Sequence, residues 1–317
     1  MSGLVKRSQG RASFSYRSSA MPIQVVQNIK EAIASLNPQE IERHTERPLR
    51  LFLYAHTEKA YRQMEDFLAP PDLSPAKRAD LRHRIHRASE GFSPASRNDL
   101  EIYFEDSPPD ELTPTKDLFA FRPDDPRHLV SSVLKQRPDM AIPLAMHILP
   151  FREEVSRRVV KKVARQNALF ALATAVPDIL PFISLPWAVT EFTSDTAVLT
   201  ANQVRMAFLL AAASDRDFGY REQRGEIASI VMGAFGWRAL ARELVGKIPL
   251  GGGLIPKAAI AYAGTRVVGL SLERFYRTGA AYTREEKRSA YEEALERGRS
   301  VAASLLDGLR RKRLSDS

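Results

Sequence analysis

The chain contains no cysteine. That absence excludes disulfides, thiolate-bound zinc and thiol catalysis together, and it suits a reducing compartment. A glycine-rich phosphate loop is missing too. The turn after the first strand-like run reads His56-Thr57-Glu58-Lys59, which offers Thr and Lys but no glycine, and sets a carboxylate where phosphate would sit. The Asn-Lys-x-Asp pattern that reads guanine does not occur either, so GTP hydrolysis by this chain is not expected. Residues 1–20 contain no acidic residue and lack the roughly 7–15-residue apolar core of a secretory signal, so export is not expected. Their Ser/Arg bias reads as disordered filler ahead of a start at Met21.

What is present is a long, basic, folded chain. Its 317 residues allow two domains of ordinary size, and 44% apolar with 27% charged residues is a globular composition. The net charge of +9 is concentrated at the ends: Lys6, Arg7, Arg11 and Arg17 near the start, Arg310-Arg311-Lys312-Arg313 near the finish. Such tails suit anionic lipid headgroups, at about 1 kcal/mol per charge near a lipid surface, or nucleic acid, or serve simply as solvated, solubilising segments.

The most informative stretch is 168–190, ALFALATAVPDILPFISLPWAVT, with the single charge Asp178 and the prolines Pro177, Pro181 and Pro186. It is long enough to cross a bilayer, for which about 20 apolar residues suffice. A carboxylate near its middle and closely spaced prolines make it a poor straight span, and favour re-entrant or peripheral contact.

Organisation follows from periodicity and punctuation. Residues 22–47 read as an amphipathic helix broken at Asn37-Pro38 and followed by a short polar helix. Leu49–Ala55 and Asp99–Phe104 read as strands, with a helix over 58–68 capped by Thr57 and a very basic helix over 75–89. After Phe151 every segment reads as helix: 151–175, 187–214, 220–246, 252–278 and 284–313, with Gly219, Gly251-Gly252-Gly253 and Gly279 at the turns. Thr283-Arg284-Glu285-Glu286 is a capping box for the last helix. The fold class is therefore α+β: a basic tail (1–21), a small α/β unit (22–150), an apolar all-α bundle (151–280) and a C-terminal amphipathic helix (281–317).

Candidate functional residues are few. His83 and His86 share one face of the basic helix, but Arg82, Arg84 and Arg87 crowd them, so no metal site is expected. No aromatic residue interleaves that basic helix, so specific nucleic-acid binding is not expected. Asp178 and Asp195 interrupt apolar surroundings, where a carboxylate is costly unless paired. Arg205, ten residues beyond Asp195, is a candidate partner; an ion pair or helix cap fixing the packing would account for these acids equally. Gly251-Gly252-Gly253 follows Ile248-Pro249 rather than a strand and lacks the Gly-Lys-Ser/Thr ending of a phosphate loop, so it reads as a close approach of two helix ends. Ala259, Ala263, Gly264 and Gly269 give the following helix a small-residue face for tight packing.

Between Arg152 and Thr278 the chain resembles a bacterial helical family, domain-of-unknown-function family 697. The features that carry the resemblance are Ala175-Val176-Pro177 with Asp195 downstream, and Asn202-Gln203 leading an apolar helix. Lys247-Ile248-Pro249-Leu250-Gly251-Gly252-Gly253 before an alanine-rich helix, and Gly269 ahead of Phe275-Tyr276, complete it. The resemblance implies a membrane-associated helical module on the cytoplasmic side of a bacterial inner membrane, associated with a GTPase. The chain departs from such relatives in having no phosphate loop, so any GTPase would be a separate partner. The expectation is a non-enzymatic interaction module without a cofactor, docked on or dipping into the membrane, with Pro177, Asp178, Pro181, Asp195, Gln203, Arg205, Pro249, Gly251, Gly252 and Gly253 as candidate structural or interaction positions. The alternatives are a soluble, self-associating cytoplasmic scaffold, or an enzyme with an unrecognised site around Asp178, Asp195 and Arg205.

Overall fold

A computed structural model describes residues 23–88, 99–107, 117–175, 194–233 and 254–315. The fold is α+β with a helical majority and one four-stranded parallel sheet. Helices α1 (Ile23–Ala34) and α2 (Pro38–Thr45) come first. They are followed by β1 (Arg50–Tyr54), α3 (Glu58–Leu68), α4 (Pro75–Arg82), β2 (Ile85–Arg87), β3 (Asp99–Phe104), β4 (Leu118–Phe121) and α5 (Pro126–Gln136). Then come α6 (Ala141–His147), α7 (Leu149–Ala173), α8 (Asp195–Ala213), α9 (helical over 224–233), α10 (Leu254–Thr278) and α11 (Arg284–Ser315).

Local chemistry sets many of these boundaries. Asn37, Thr57 and Ser74 cap α2, α3 and α4, with Pro38 and Pro75 in the first turns. The capping box of α11 closes in both directions, Glu286 N–H to Thr283 Oγ1 at 3.2 Å and Thr283 N–H to Glu286 Oε2 at 2.8 Å. Gly279 adopts φ +79° just past α10, and its N–H bonds the Phe275 carbonyl. Asp215 takes the same left-handed role after α8 at φ 55°, with the Arg216 N–H reaching back to the Ala211 carbonyl.

The strand order is β2-β1-β3-β4, with Leu51 opposite both Ile85 and Leu100, and Ile102 opposite Phe119. Alternation puts Leu51, Leu53, Leu100, Ile102, Phe119 and Phe121 on one face, packed with Met64 and Leu68 of α3 and Leu129 and Val133 of α5. Phe151 and Val155 of α7 and Ala213 of α8 join the same cluster, so the sheet abuts one end of the helical bundle. On the other face Arg50 forks onto buried Asp99, at 2.9 and 2.8 Å, and the Tyr54 hydroxyl donates to Glu101 at 2.8 Å.

Two expectations need correction. The basic helix ends at Arg82, and Ile85–Arg87 pairs with β1 as a parallel strand, so His83 and His86 do not share a helical face. His86 instead stacks on Phe52 with ring centroids 5.3 Å apart. Helices α1 and α2, expected to open the α/β unit, pack on the bundle: Ile29 and Ala32 meet Ala197 and Ala201 of α8, and Ile41 joins Val160 and Val204. Their apolar stripes match α8, which is apolar nearly all round and must be covered on every side.

Candidate functional site

The bundle is organised around α7 and α10. Close approach is enforced where side chains vanish. A methyl on Gly269 would lie 2.7 Å from Val160 Cγ2, and one on Gly298 would lie 2.8 Å from the Ala259 carbonyl oxygen. The small-residue face read from α10 thus seats α7, α8 and α11.

A buried polar spine crosses this apolar centre. Asn167 of α7 donates to Thr265 Oγ1 of α10 at 2.8 Å and to the Leu199 carbonyl of α8 at 3.2 Å. Asn202 donates to Asn167 Oδ1 at 2.7 Å, and Gln203 to Thr265 Oγ1 at 3.2 Å. These side chains bond one another across three helices, which fixes their rotation and register. Gln203 is therefore a packing residue within this spine.

Asp195 sits where three helices end together. Its Oδ2 accepts from Lys257 Nζ at 2.7 Å and from Thr174 Oγ1 at 3.1 Å, and Lys257 also reaches Thr174 Oγ1 at 3.0 Å. The partner of Asp195 is thus Lys257, in the first turn of α10. Arg205, a half-buried side chain ten residues along α8, lies about 15 Å away along the helix axis. Pro177, Asp178, Pro181, Pro249, Gly251, Gly252 and Gly253 lie outside the described residues.

Helix directions follow from these contacts. The contacts of Asp195 put the start of α8 beside the end of α7 and the start of α10. At the opposite end, Arg216 donates to the Tyr276 carbonyl at 2.8 Å, bringing the α8 and α10 C-termini together. Helix α1 runs parallel to α8, since Val25 packs beside the Ala197–Ala201 cluster and the Tyr220 hydroxyl donates to the Ile33 carbonyl at 2.7 Å. Helix α9 returns along α8 until Val231 meets the same cluster. Helix α11 runs parallel to α7, with Val301 and Leu305 against Ala168 and Leu172.

The bundle therefore has a proximal end at the sheet and a distal end where many chain segments converge. At the distal end the chain enters α1, leaves α7 at Ala173, and enters α8 at Asp195 and α10 at Leu254, and the described part of α9 reaches Gly233 there. Helix α11 also finishes there, carrying Arg310 and Arg311. Two of the four large apolar side chains most exposed among the described residues, Ile23 (77%) and Met232 (68%), sit on these distal segments.

The turn after β1 is occupied by its own groups. The His56 N–H approaches Ser107 Oγ at 3.3 Å, and the Ala60 N–H bonds Thr57 Oγ1 at 3.2 Å. Hydrogen bonds from Arg87 and Arg62 hold the Glu58 carboxyl below its usual range, keeping negative charge at the start of α3. This arrangement does not suit phosphate. Among the described residues no cluster of His, Asp and Glu is arranged to hold a metal ion. Helix α8 alone among them is long and apolar enough to cross a membrane, and 83% of that stretch is buried inside the protein.

No protein-family model, curated protein or solved structure matches the chain, so the family resemblance rests on the quoted residues alone.

Proposed function

We propose that this protein is a non-enzymatic interaction module that docks on a membrane surface through the distal end of its helical bundle. The observation that carries this reading is convergence. The end of α7 and the starts of α8 and α10, which border 176–193 and 234–253, lie together at that end, beside the last described turn of α9, the entry to α1 and the basic finish of α11. The 176–193 stretch is rich in Ile, Leu, Phe and Pro. The 234–253 stretch combines Phe235, Trp237, Leu240 and Leu244 with Arg238, Arg242 and Lys247 against the single acid Glu243. Apolar residues with a cationic surround suit the interface of an anionic bilayer. On this reading the sheet stays in the aqueous phase, on the cytoplasmic side of a bacterial inner membrane, where it is free to meet a partner such as a separate GTPase.

The test is flotation of the purified full chain with phospholipid vesicles, followed by salt and alkaline carbonate washes. Co-flotation reversed by salt or carbonate is the expected result. Protein left at the bottom of the gradient with every vesicle composition would sink the reading. A second reading, a soluble self-associating scaffold, is favoured by the burial of α8 within its own bundle. It predicts a dimer or larger species in sedimentation velocity and no vesicle association.

A further inference from the structure

One acid-free stretch of the bundle contains five cations. Between Glu154 and Asp178 no Asp or Glu occurs, whereas Arg157, Arg158, Lys161, Lys162 and Arg165 fall within nine positions. Their spacing repeats with the helical period, so they form one stripe about 12 Å long on the solvent side of α7. Arg157 and Arg158 share the carboxylate of Glu154, Arg158 at 2.7 Å. Lys161, Lys162 and Arg165 are exposed and make no ion pair among the described residues.

Several other cations of the molecule are paired within it. On α4 and in the turn after it, Lys77 pairs with Asp215 and Arg84 with Asp80. At the end of β2, Arg87 holds Glu58 and Glu65. On α11, Arg288, Arg297 and Arg299 each have an acidic residue one turn away. Scattered cations such as Arg43, Lys59 and Arg82 also stand without an ion pair among the described residues, but the α7 triplet gathers three on one exposed face. Like charges stacked one turn apart on a helix are destabilising without an external anion.

We propose that the α7 stripe, centred on Lys161, Lys162 and Arg165, is a docking surface for the anionic phospholipid headgroups of a bilayer. The assignment rests on the membrane-docking reading above and adds which lipids and which face are engaged. The stripe points along α7 toward the distal end, with half-buried Leu169 next along the same face. Helix α11 runs parallel beside it and finishes in Arg310 and Arg311, so two adjacent helices carry positive charge toward one end. Exposed cations leading to an apolar terminus match the order of layers at a membrane surface, headgroup phosphate before acyl chain. Single-stranded nucleic acid is the poorer match, because no aromatic side chain lies along the stripe for a base to stack on.

The experiment compares three full-length proteins: wild type, K161E/K162E/R165E, and the control R43E/K59E/R82E. The control alters three exposed cations on other elements and changes the net charge equally. Binding to phosphatidylglycerol-containing and to purely phosphatidylcholine vesicles is measured by co-sedimentation across a salt series. The expected result is at least about a tenfold loss of affinity for the anionic vesicles in the stripe variant only, with a shallower salt dependence. Equal losses in both variants, or none in the stripe variant, overturn the stripe while leaving membrane docking intact. A wild type that binds neither vesicle overturns both, and retention on duplex DNA instead would reassign the stripe to nucleic acid. Unchanged far-UV dichroism and melting, with K161Q/K162Q/R165Q as a milder variant, separate lost binding from lost folding.

Discussion

The two ends of the helical bundle are closed in opposite ways. At the proximal end Arg152 donates to the carbonyls of Ala145, Met146 and Ala213 at 3.1–3.2 Å, satisfying the C-termini of α6 and α8 together. Lys77 of α4 pairs with Asp215, and Asp80 of α4 lies 3.4 Å from His147 of α6. Each of these contacts crosses an element boundary. At the distal end one ion pair among the described residues, Asp195 with Lys257, joins α8 to α10, and both side chains are about two-fifths exposed. The sheet junction is closed by several polar links between elements, the described far end by this pair and the Thr174 hydroxyl beside it. A protein held tightly at one end and lightly at the other presents the light end to its surroundings.

The sharpest way to break that comparison is to remove the proximal anchor. Arg152→Met keeps the volume of the stem but leaves three helix-terminal carbonyls without their charged donor. A loss of about 3 kcal/mol in chemical denaturation is expected. A loss below about 1 kcal/mol would mean that water replaces the guanidinium, and that the proximal end is no more committed than the distal one.

Between the ends, Asn167→Ala tests the spine. It strips hydrogen bonds from Asn202 and Thr265 in a dry interior, and a cost of about 2–3 kcal/mol is expected in the same assay. The double variant with Thr265→Val should cost clearly less than the sum of the two single changes, since both groups serve one network. Additivity would show that the spine does not act as a unit.

At the distal end the expected effect is small. Lys257→Met should cost at most about 1 kcal/mol, the usual worth of an exposed pair. The double-mutant cycle with Asp195→Asn should return a coupling that fades in high salt. A coupling above about 2 kcal/mol would make the distal end a second anchor and erase the contrast.

How much of this was legible in the sequence depends on reach. The helices after Phe151 follow from apolar periodicity and from local signals such as the Thr283–Glu286 box, which lie within a turn of the residues they govern. Strands β1 and β3 show as Leu49–Ala55 and Asp99–Phe104 because each alternates over several residues. Strands β2 and β4 do not: Ile85–Arg87 has three residues and follows a basic helix, and Leu118–Phe121 has four. They are strands because β1 and β3 offer them edges, and a window on the chain does not register that. The same holds for the polar contacts. Asp195 was recognisable as a carboxylate in need of a partner, yet Lys257 is 62 residues away and Thr265 is 98 residues from Asn167. The α1–α2 pair was misplaced for a related reason: an amphipathic stripe says that a helix is covered, not by what. The cation stripe on α7 was fully present in the sequence, and became informative only when Lys161, Lys162 and Arg165 proved to share an exposed face without an ion pair among the described residues.

The finest test of the proximal end is its pH response. Burial holds the His147 imidazole below its ordinary pKa of 6.5, with Arg84 and Lys77 pushing the same way and Asp80 and Asp215 opposing them. The folded state therefore resists taking up a proton that the unfolded chain accepts near pH 6.5. Stability attributable to this group is intact above that pH and is lost as the pH falls from 6.5 toward the lower folded value. His147→Gln should remove that increment, so the stability difference between wild type and variant should shift against wild type from about pH 7.5 to about pH 5.5. A difference that stays constant over this range would mean that the imidazole is protonated as readily in the fold as out of it. The α4–α6 contact would then be as open to solvent as the distal pair.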